Sequence, residues 1–296
     1  CLFEAARLFC FIPRNTDVNK ANSGMIISDQ VYEPDYQPAR NTLKETYDQV
    51  IKDFTAAIPL LAKDNGCGYF SKYAAVALRA RAYLYMGEYQ KALDDAKDVI
   101  ANSGKSLYTR DEYEKAWKQK DTKESLVELA IDDSYNPQRY ALGYYTDYNG
   151  YAECGFNEEG YLFKYLKAHP EDIRSKRLKD QTGSAFAGGA QGYYPGKYPG
   201  QEGSSKPTYV NNPKIVRIAE MYLIAAEAEY YLNNVDDAID WINELNDARI
   251  EGYDWVEPEE VEDPIQYLID QYKIEFFTEN QIAFAYWRNK RTVTAM

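Results

Sequence analysis

Twelve of the 29 tyrosines lie between Tyr135 and Tyr209, where other periodic patterns fade. A tyrosine side chain combines a flat apolar ring with a hydroxyl group at its edge. Such rings suit ligands that are apolar on one face and polar at the rim, as sugar rings are. The residue types in this stretch therefore make it a candidate ligand-binding segment.

Two groups of residues in this stretch are the predicted ligand contacts. The first combines closely spaced tyrosines with an amide that can hydrogen-bond hydroxyl groups, and the second is held in a Pro/Gly frame that restricts the rings. Two alternatives remain open, because the same rings could pack the segment onto the scaffold or form a protein interface, where tyrosine is enriched. The predicted contacts are Tyr144, Tyr145, Tyr148, Asn149 and Tyr151 in the first group, and Tyr193, Tyr194 and Tyr198 in the second.

Catalytic and metal-binding sets are weaker candidates. His169 is the only histidine, and no G-x-S-x-G motif accompanies it. Glu158-Glu159 and Asp132-Asp133 are paired acids of the kind that glycosidases use, but adjacent acids are common on solvated loops. The acidic run 257–263 lacks the spacing of a calcium loop, and the four cysteines lack C-x-x-C spacing. We therefore expect no catalytic residues, no metal and no cofactor, with a hydrolase as the least favoured alternative.

Composition limits the partners. The chain of 296 residues has a formal net charge of −13 and shows no Lys/Arg stripe, so nucleic acid is not an expected partner. No stretch approaches the roughly 20 consecutive apolar residues of a membrane-spanning helix. The first residues also lack the pattern of a signal peptide, which predicts either a cytosolic protein or a sequence without its natural N-terminus.

Two helical hairpins of the tetratricopeptide kind are the elements that must position the tyrosines. The first spans 71–100 and turns at Gly87, and the second spans 215–249 and turns at Asn233, which occupies the equivalent position. Helices are also predicted over 42–61 and from Pro264 onward, with Asp263 as N-cap, and a short strand over 125–131. Arg217 and Glu220 are spaced for an ion pair within one helix.

The predicted fold is therefore mainly all-α, with helical hairpins interrupted by an irregular, aromatic-rich insertion. We expect residues 1–296 to form a single domain. The scaffold is predicted to comprise about 1–118 and 213–296, and the ligand-facing insertion about 119–212.

Several segments resemble the SusD/RagB family of Bacteroidetes outer-membrane lipoproteins. Residues 217–228, RIAEMYLIAAEA, match the family's R-x-A-E-x-Y-L-x-x-A-E-A helix almost letter for letter. Residues 72–84, 36–54, 248–249 and 273–288 are similar to other family elements in the same order. The chain departs from the family at 272–275, YKIE, where the family's E-R-x-x-E has an arginine. Cys1 lies in a pattern that resembles an internal family helix, so we do not expect it to be the lipid anchor.

The resemblance implies a non-catalytic nutrient-binding protein with a tetratricopeptide-like scaffold. It implies a location on the cell surface at the outer membrane, with the anchor outside this sequence, and a TonB-dependent transporter as partner. The implied ligand is a glycan or, in some relatives, a peptide. The alternative from another class is a helical-repeat scaffold that binds only a protein or peptide partner.

Overall fold

The computed structural model describes residues 1–28, 30–66, 68–146, 154–181 and 192–292. Helices dominate these residues, and the strands are short and paired antiparallel. The helices are α1 Leu2–Phe9, α2 Leu43–Ala57, α3 Lys72–Met86, α4 Tyr89–Asn102, α5 Arg110–Ala116, α6 Leu142–Thr146, α7 Tyr161–Ala168, α8 Ile218–Tyr231, α9 Val235–Asp247, α10 Pro264–Phe276 and α11 Ile282–Arg288. The strands are β1 Ser125–Glu128, β2 Leu178–Asp180, β3 Tyr193–Pro195 and β4 Lys214–Arg217. The prediction of a mainly helical fold is confirmed.

The two predicted hairpins are α3–α4 and α8–α9, and they turn in the same way. Gly87 and Asn233 both have left-handed backbone conformations, with φ of 80° and 66°. In each turn the next residue donates its N–H to a carbonyl five residues earlier, at 3.0 Å in the first hairpin and 2.9 Å in the second. Glycine and asparagine are the residues that adopt this conformation at least cost, so the predicted equivalence of the two turns is confirmed.

Small residues bring the two hairpins together. Ala77, Ala80, Ala92 and Ala96 are fully buried in one apolar cluster that also contains Ala225 of α8. Alanine leaves little between two helix backbones, so α3, α4 and α8 can approach closely. This cluster is the main core of the scaffold, and a second one lies between α8, α9 and α10.

The start of the second hairpin differs from the prediction. Residues 215–217 were predicted to be helical, but they belong to β4, which pairs with β1. Ile215 and Val216 are β-branched and fit a strand between packed surfaces, and the helix begins only at Ile218. The predicted strand at 125–131 is confirmed over Ser125–Glu128. The predicted insertion thus contributes β1, which pairs with the scaffold residues of β4.

The helix predicted over 42–61 is α2, and a capping box begins it. Thr42 Oγ1 accepts a hydrogen bond from the Glu45 N–H at 3.1 Å, and Glu45 Oε2 accepts one from the Thr42 N–H at 2.8 Å. Asp263 likewise accepts from the Gln266 N–H at the start of α10, as predicted. These side chains satisfy N–H groups that have no partner within the helix.

We expect Thr42→Ala to lower the free energy of unfolding by about 0.5–2 kcal/mol, because one N–H of the first turn loses its acceptor. Urea unfolding followed by circular dichroism measures the change. Thr42→Ser keeps the hydroxyl group and should retain most of the stability. Equal stability of the alanine variant and the wild type would contradict this account of α2.

Candidate functional site

The first predicted group of ligand contacts begins on α6. Tyr144 and Tyr145 are adjacent and half-buried, with their ring centroids 5.9 Å apart at an angle of 90°. The Tyr144 ring also lies 5.9 Å from the ring of Tyr209, which sequence reasoning did not select. The three rings therefore form one aromatic surface. Two of them, Tyr144 and Tyr145, are carried by α6.

Residues 154–156 connect this surface to the second predicted group. The Cys154 N–H donates to the Tyr145 carbonyl at 3.1 Å, and the Phe156 N–H donates to the Tyr193 carbonyl at 2.8 Å. Between them, a Cβ on Gly155 would lie 3.4 Å from Cε1 of Tyr194, within ordinary contact distance. The segment 154–156 thus binds the backbones of both Tyr145 and Tyr193. These two residues are 48 positions apart in the sequence.

The second group divides into one partly exposed ring and two buried rings. Tyr193 is half-buried; its ring packs 4.8 Å from that of Phe163, and its hydroxyl accepts from Lys167 Nζ at 3.1 Å. Tyr194 and Tyr198 are only 3% and 4% exposed. Little of either ring is accessible for stacking, and their role as ligand contacts stays a prediction. Both rings pack the segment onto the scaffold, which is the alternative left open by the sequence.

Tyr148, Asn149 and Tyr151 of the first group lie outside the described residues. Two tyrosines that sequence reasoning passed over are strongly exposed, Tyr135 at 82% and Tyr140 at 83%. Tyr140 is the last residue of a 3₁₀ turn that immediately precedes α6. Outside regular helices and strands, the sequence has no periodic pattern that distinguishes exposed rings from buried ones. Only the density of tyrosines near α6 could have indicated that Tyr135 and Tyr140 are exposed.

Lys197 fixes the segment that bears the second group. Its Nζ is fully buried and donates to the Glu275 carbonyl at 2.5 Å and to Glu279 Oε1 at 2.7 Å. Burial lowers the pKa of Lys197 to about 8, partly offset by the charge of Glu279. The ammonium group also lies 4.1 Å from the centre of the Phe277 ring. These contacts tie the Tyr194–Tyr198 segment to the end of α10.

Lys197 belongs to a set of buried ionic side chains that we call the buried charge network. Arg217 lies at its centre and contacts three carboxylates: Glu124 at 2.6 Å, Glu279 at 2.8 Å and Glu275 at 2.9 Å. Burial raises the pKa of Glu275, but the charges of Arg249, Arg217 and Arg174 outweigh burial and hold that pKa well below its ordinary value. The network comprises Glu124, Asp172, Arg174, Lys197, Arg217, Arg249, Glu275 and Glu279.

The network joins the predicted insertion to the predicted scaffold. Glu124, Arg174 and Lys197 come from the predicted insertion, whereas Arg217 and Glu275 come from the predicted scaffold. The predicted pair between Arg217 and Glu220 is wrong. Arg217 precedes α8 and turns into the network, and Glu220 instead pairs with Arg81.

The other candidates from the sequence are the single histidine and the two acidic pairs. His169 is partly exposed and hydrogen-bonds Glu171 at 2.8 Å. Glu158 and Glu159 are exposed, and the carboxylate of Asp133 accepts hydrogen bonds from Ser204 and Ser205. Among the described residues, no cluster of three His, Cys, Asp or Glu side chains could hold a metal ion.

Two family models match two successive stretches of the chain. A model described as the SusD family matches residues 105–296, and one described as starch-binding associating with outer membrane matches residues 2–84. The chain belongs to the SusD family. The resemblance seen at 217–228 is therefore confirmed. No curated protein matches the sequence.

Solved SusD superfamily structures share the fold. One from Bacteroides thetaiotaomicron VPI-5482 is 28% identical with a TM-score of 0.81, and the match covers 98% of this chain and 65% of that one. One from Bacteroides vulgatus ATCC 8482 is 25% identical with a TM-score of 0.84, covering 100% and 66%. A laminarin-binding SusD-like protein is 18% identical with a TM-score of 0.65, covering 93% and 67%.

The chain thus spans less than two thirds of the length of the first two relatives. None of the helices in the part of the chain that the structure describes combines the length and apolar character of a membrane span.

Proposed function

We propose that this SusD-family chain captures an oligosaccharide without altering it chemically and delivers it to a TonB-dependent transporter at the outer surface of the cell. The observation that supports this most strongly is the family match over residues 105–296, together with the starch-binding, outer-membrane description matched by residues 2–84. One structural relative binds laminarin, which supports the same ligand class.

The proposed ligand surface is centred on α6. Tyr144, Tyr145 and Tyr193 are half-buried, so each ring has a rigid base and an accessible part. The strongly exposed Tyr140 lies directly before this helix. Sugar rings stack their C–H faces on aromatic rings, and the tyrosine hydroxyl groups can hydrogen-bond at the edge. Tyr148, Asn149 and Tyr151 remain proposed contacts on the basis of the sequence.

The environment of one acidic pair supports binding without turnover. Asp133 Oδ1 and Oδ2 are occupied by Ser204 and Ser205, and hydrogen bonding to these residues lowers the pKa of Asp133 to about 2. A glycosidase needs one carboxyl group that stays protonated near neutral pH, whereas the lowered pKa keeps Asp133 ionised.

We expect Tyr145→Ala to weaken oligosaccharide binding about tenfold, because one stacking face is lost from the centre of the surface. Isothermal titration with maltohexaose, laminarihexaose and a mixed peptide pool measures binding, and chromatography of the same samples measures hydrolysis. Tyr36→Ala is the matched control, since Tyr36 is a half-exposed tyrosine in the loop before α2.

Sugar binding that is lost in Tyr145→Ala, kept in Tyr36→Ala and accompanied by intact sugar would support the proposal. Binding of peptides alone would replace the sugar by a peptide ligand. Release of shorter sugars would overturn the proposal of binding without turnover.

A further inference from the structure

A groove lies beside α5 and is lined by residues other than the tyrosines of α6. Its outer cavity has a volume of about 520 Å³, within the range of about 300–1,000 Å³ that is usual for small-molecule sites. One wall is the end of α5 together with the residues that follow it. The other wall is the segment 199–202. The lining residues are Lys115, Lys118, Gln119, Pro199, Gly200, Gln201 and Glu202.

A second, much smaller cavity of about 10 Å³ adjoins the groove, because Lys118, Gln119 and Gln201 line both. A volume of this size is about that of one water-sized probe, so it admits a single oxygen atom with its hydrogen. Its other lining residues are Trp117, Lys197, Tyr198, Asn211, Asn212 and Lys214.

Two unsatisfied polar atoms of opposite kind line this small cavity. Both residues line the cavity; Trp117 Nε1–H is a donor and Gln201 Oε1 is an acceptor, both atoms are buried, and neither has a hydrogen-bond partner among the described residues. Trp117 is only 5% exposed. An unpaired buried donor or acceptor costs free energy, so such pairs are found mainly where another group completes them.

The cavity is rigid. The Trp117 ring packs edge-on against Tyr113 and Tyr198, with centroids 5.9 and 6.2 Å away. The opposite wall is fixed by backbone hydrogen bonds, from the Gln201 N–H to the Val210 carbonyl at 2.9 Å and from the Glu202 N–H to the Lys118 carbonyl at 2.8 Å. The ring that carries the donor and the backbone that carries the acceptor are therefore fixed before any ligand arrives.

We propose that this groove is a second oligosaccharide subsite, in which one sugar hydroxyl enters the small cavity, accepts from Trp117 Nε1–H and donates to Gln201 Oε1. A hydroxyl group is donor and acceptor on one oxygen atom, which a single-atom cavity requires. A peptide group separates its donor from its acceptor and cannot satisfy both there. The inference rests on the proposed function for its ligand class, but it concerns different residues.

The groove also lies next to the proposed ligand surface. Tyr198 lines the small cavity, and its carbonyl oxygen would be 2.9 Å from a Cβ on Gly143 of α6. One residue therefore separates the groove from the helix that bears Tyr144 and Tyr145. A single oligosaccharide of several rings could contact both places.

The test is titration with maltohexaose and laminarihexaose, using the full chain and its variants. Trp117→Phe keeps an aromatic ring but removes the N–H donor with the five-membered ring, and Gln201→Leu removes the acceptor at similar volume; we expect each to weaken binding about tenfold. Trp241→Phe makes the same change between α8 and α9 and should leave the affinity unchanged. Thermal unfolding shows whether each variant is folded.

A loss of affinity in both groove variants, with Trp241→Phe unaffected, supports the subsite. Unchanged affinity in folded Trp117→Phe overturns it and assigns the cavity to a structural water molecule. If Tyr145→Ala still weakens binding in that case, the proposed function stands and only this inference fails. Absence of sugar binding by the wild-type chain overturns both.

Discussion

Arg217→Met is expected to lower the free energy of unfolding by about 3–5 kcal/mol. Removing this cation leaves Glu124, Glu275 and Glu279 buried around an apolar side chain, and breaking a buried ion pair from one side typically costs this much. Urea unfolding at pH 7, followed by circular dichroism, measures the change. Arg217→Lys should be intermediate, because it keeps the charge but loses the planar guanidinium group.

Acidification provides an independent measure of the same contact. Burial raises the pKa of Glu275 and Glu279, and the charge of Arg217 helps to hold both below their ordinary values. Carboxyl groups with a lowered folded-state pKa stabilise the protein above their unfolded pKa, and this stabilisation is lost as the pH falls through the folded pKa. In Arg217→Lys the loss should therefore begin at a higher pH than in the wild type.

Arg291→Met is the matched control for Arg217→Met. Arg291 pairs with Asp263 at 2.7 Å, but both side chains are about 40% exposed, and such pairs contribute at most about 1 kcal/mol. If the two methionine variants lost the same free energy of unfolding, the buried charge network would contribute no more to stability than an exposed ion pair.

Gly143→Ala is expected to have the second largest effect, on both stability and ligand binding. A Cβ at Gly143 would lie 2.9 Å from the carbonyl oxygens of Tyr198 and Thr208, and closer still to Nδ2 of Asn211. Backbone atoms cannot yield as a flexible side chain would, so α6 must shift. We expect a loss of about 1–3 kcal/mol of stability and a several-fold weaker affinity for maltohexaose, because α6 bears Tyr144 and Tyr145.

Leu142→Ala is the control for this substitution, because Leu142 lies next to Gly143 on α6 and is 37% exposed. It should change stability by less than about 1 kcal/mol. Wild-type stability and affinity in Gly143→Ala would show that α6 is not held by the close contact described here.

The helical hairpins were predictable because their signals are local. Gly87 and Asn233 end their helices for reasons contained within a few residues, as do Thr42 and Asp263 at helix starts. The start of α8 was not predictable from its own residues. Arg217 is compatible with either a helix or a strand, and its pairing with β1, a distant segment, makes it part of a strand. The division of the chain into scaffold and insertion stays a prediction.

The buried charge network could not be found in the sequence. Arg217 and Glu124 are 93 positions apart, and Arg174 and Glu275 are 101 positions apart, so neither pair shows a spacing pattern. A lone arginine or glutamate in a sequence is normally a surface residue. The same limit applied to the tyrosines: their density indicated the region of α6, but only packing separates the half-exposed Tyr193 from the buried Tyr194.

The hydrogen bond from the Cys154 N–H to the Tyr145 carbonyl has an evolutionary consequence. The bond uses main-chain atoms alone, so it does not depend on which side chain stands at position 145. The ring of Tyr145 can therefore be replaced while its carbonyl group still holds Cys154 beside α6. Ligand preference can change at this position on an unchanged framework.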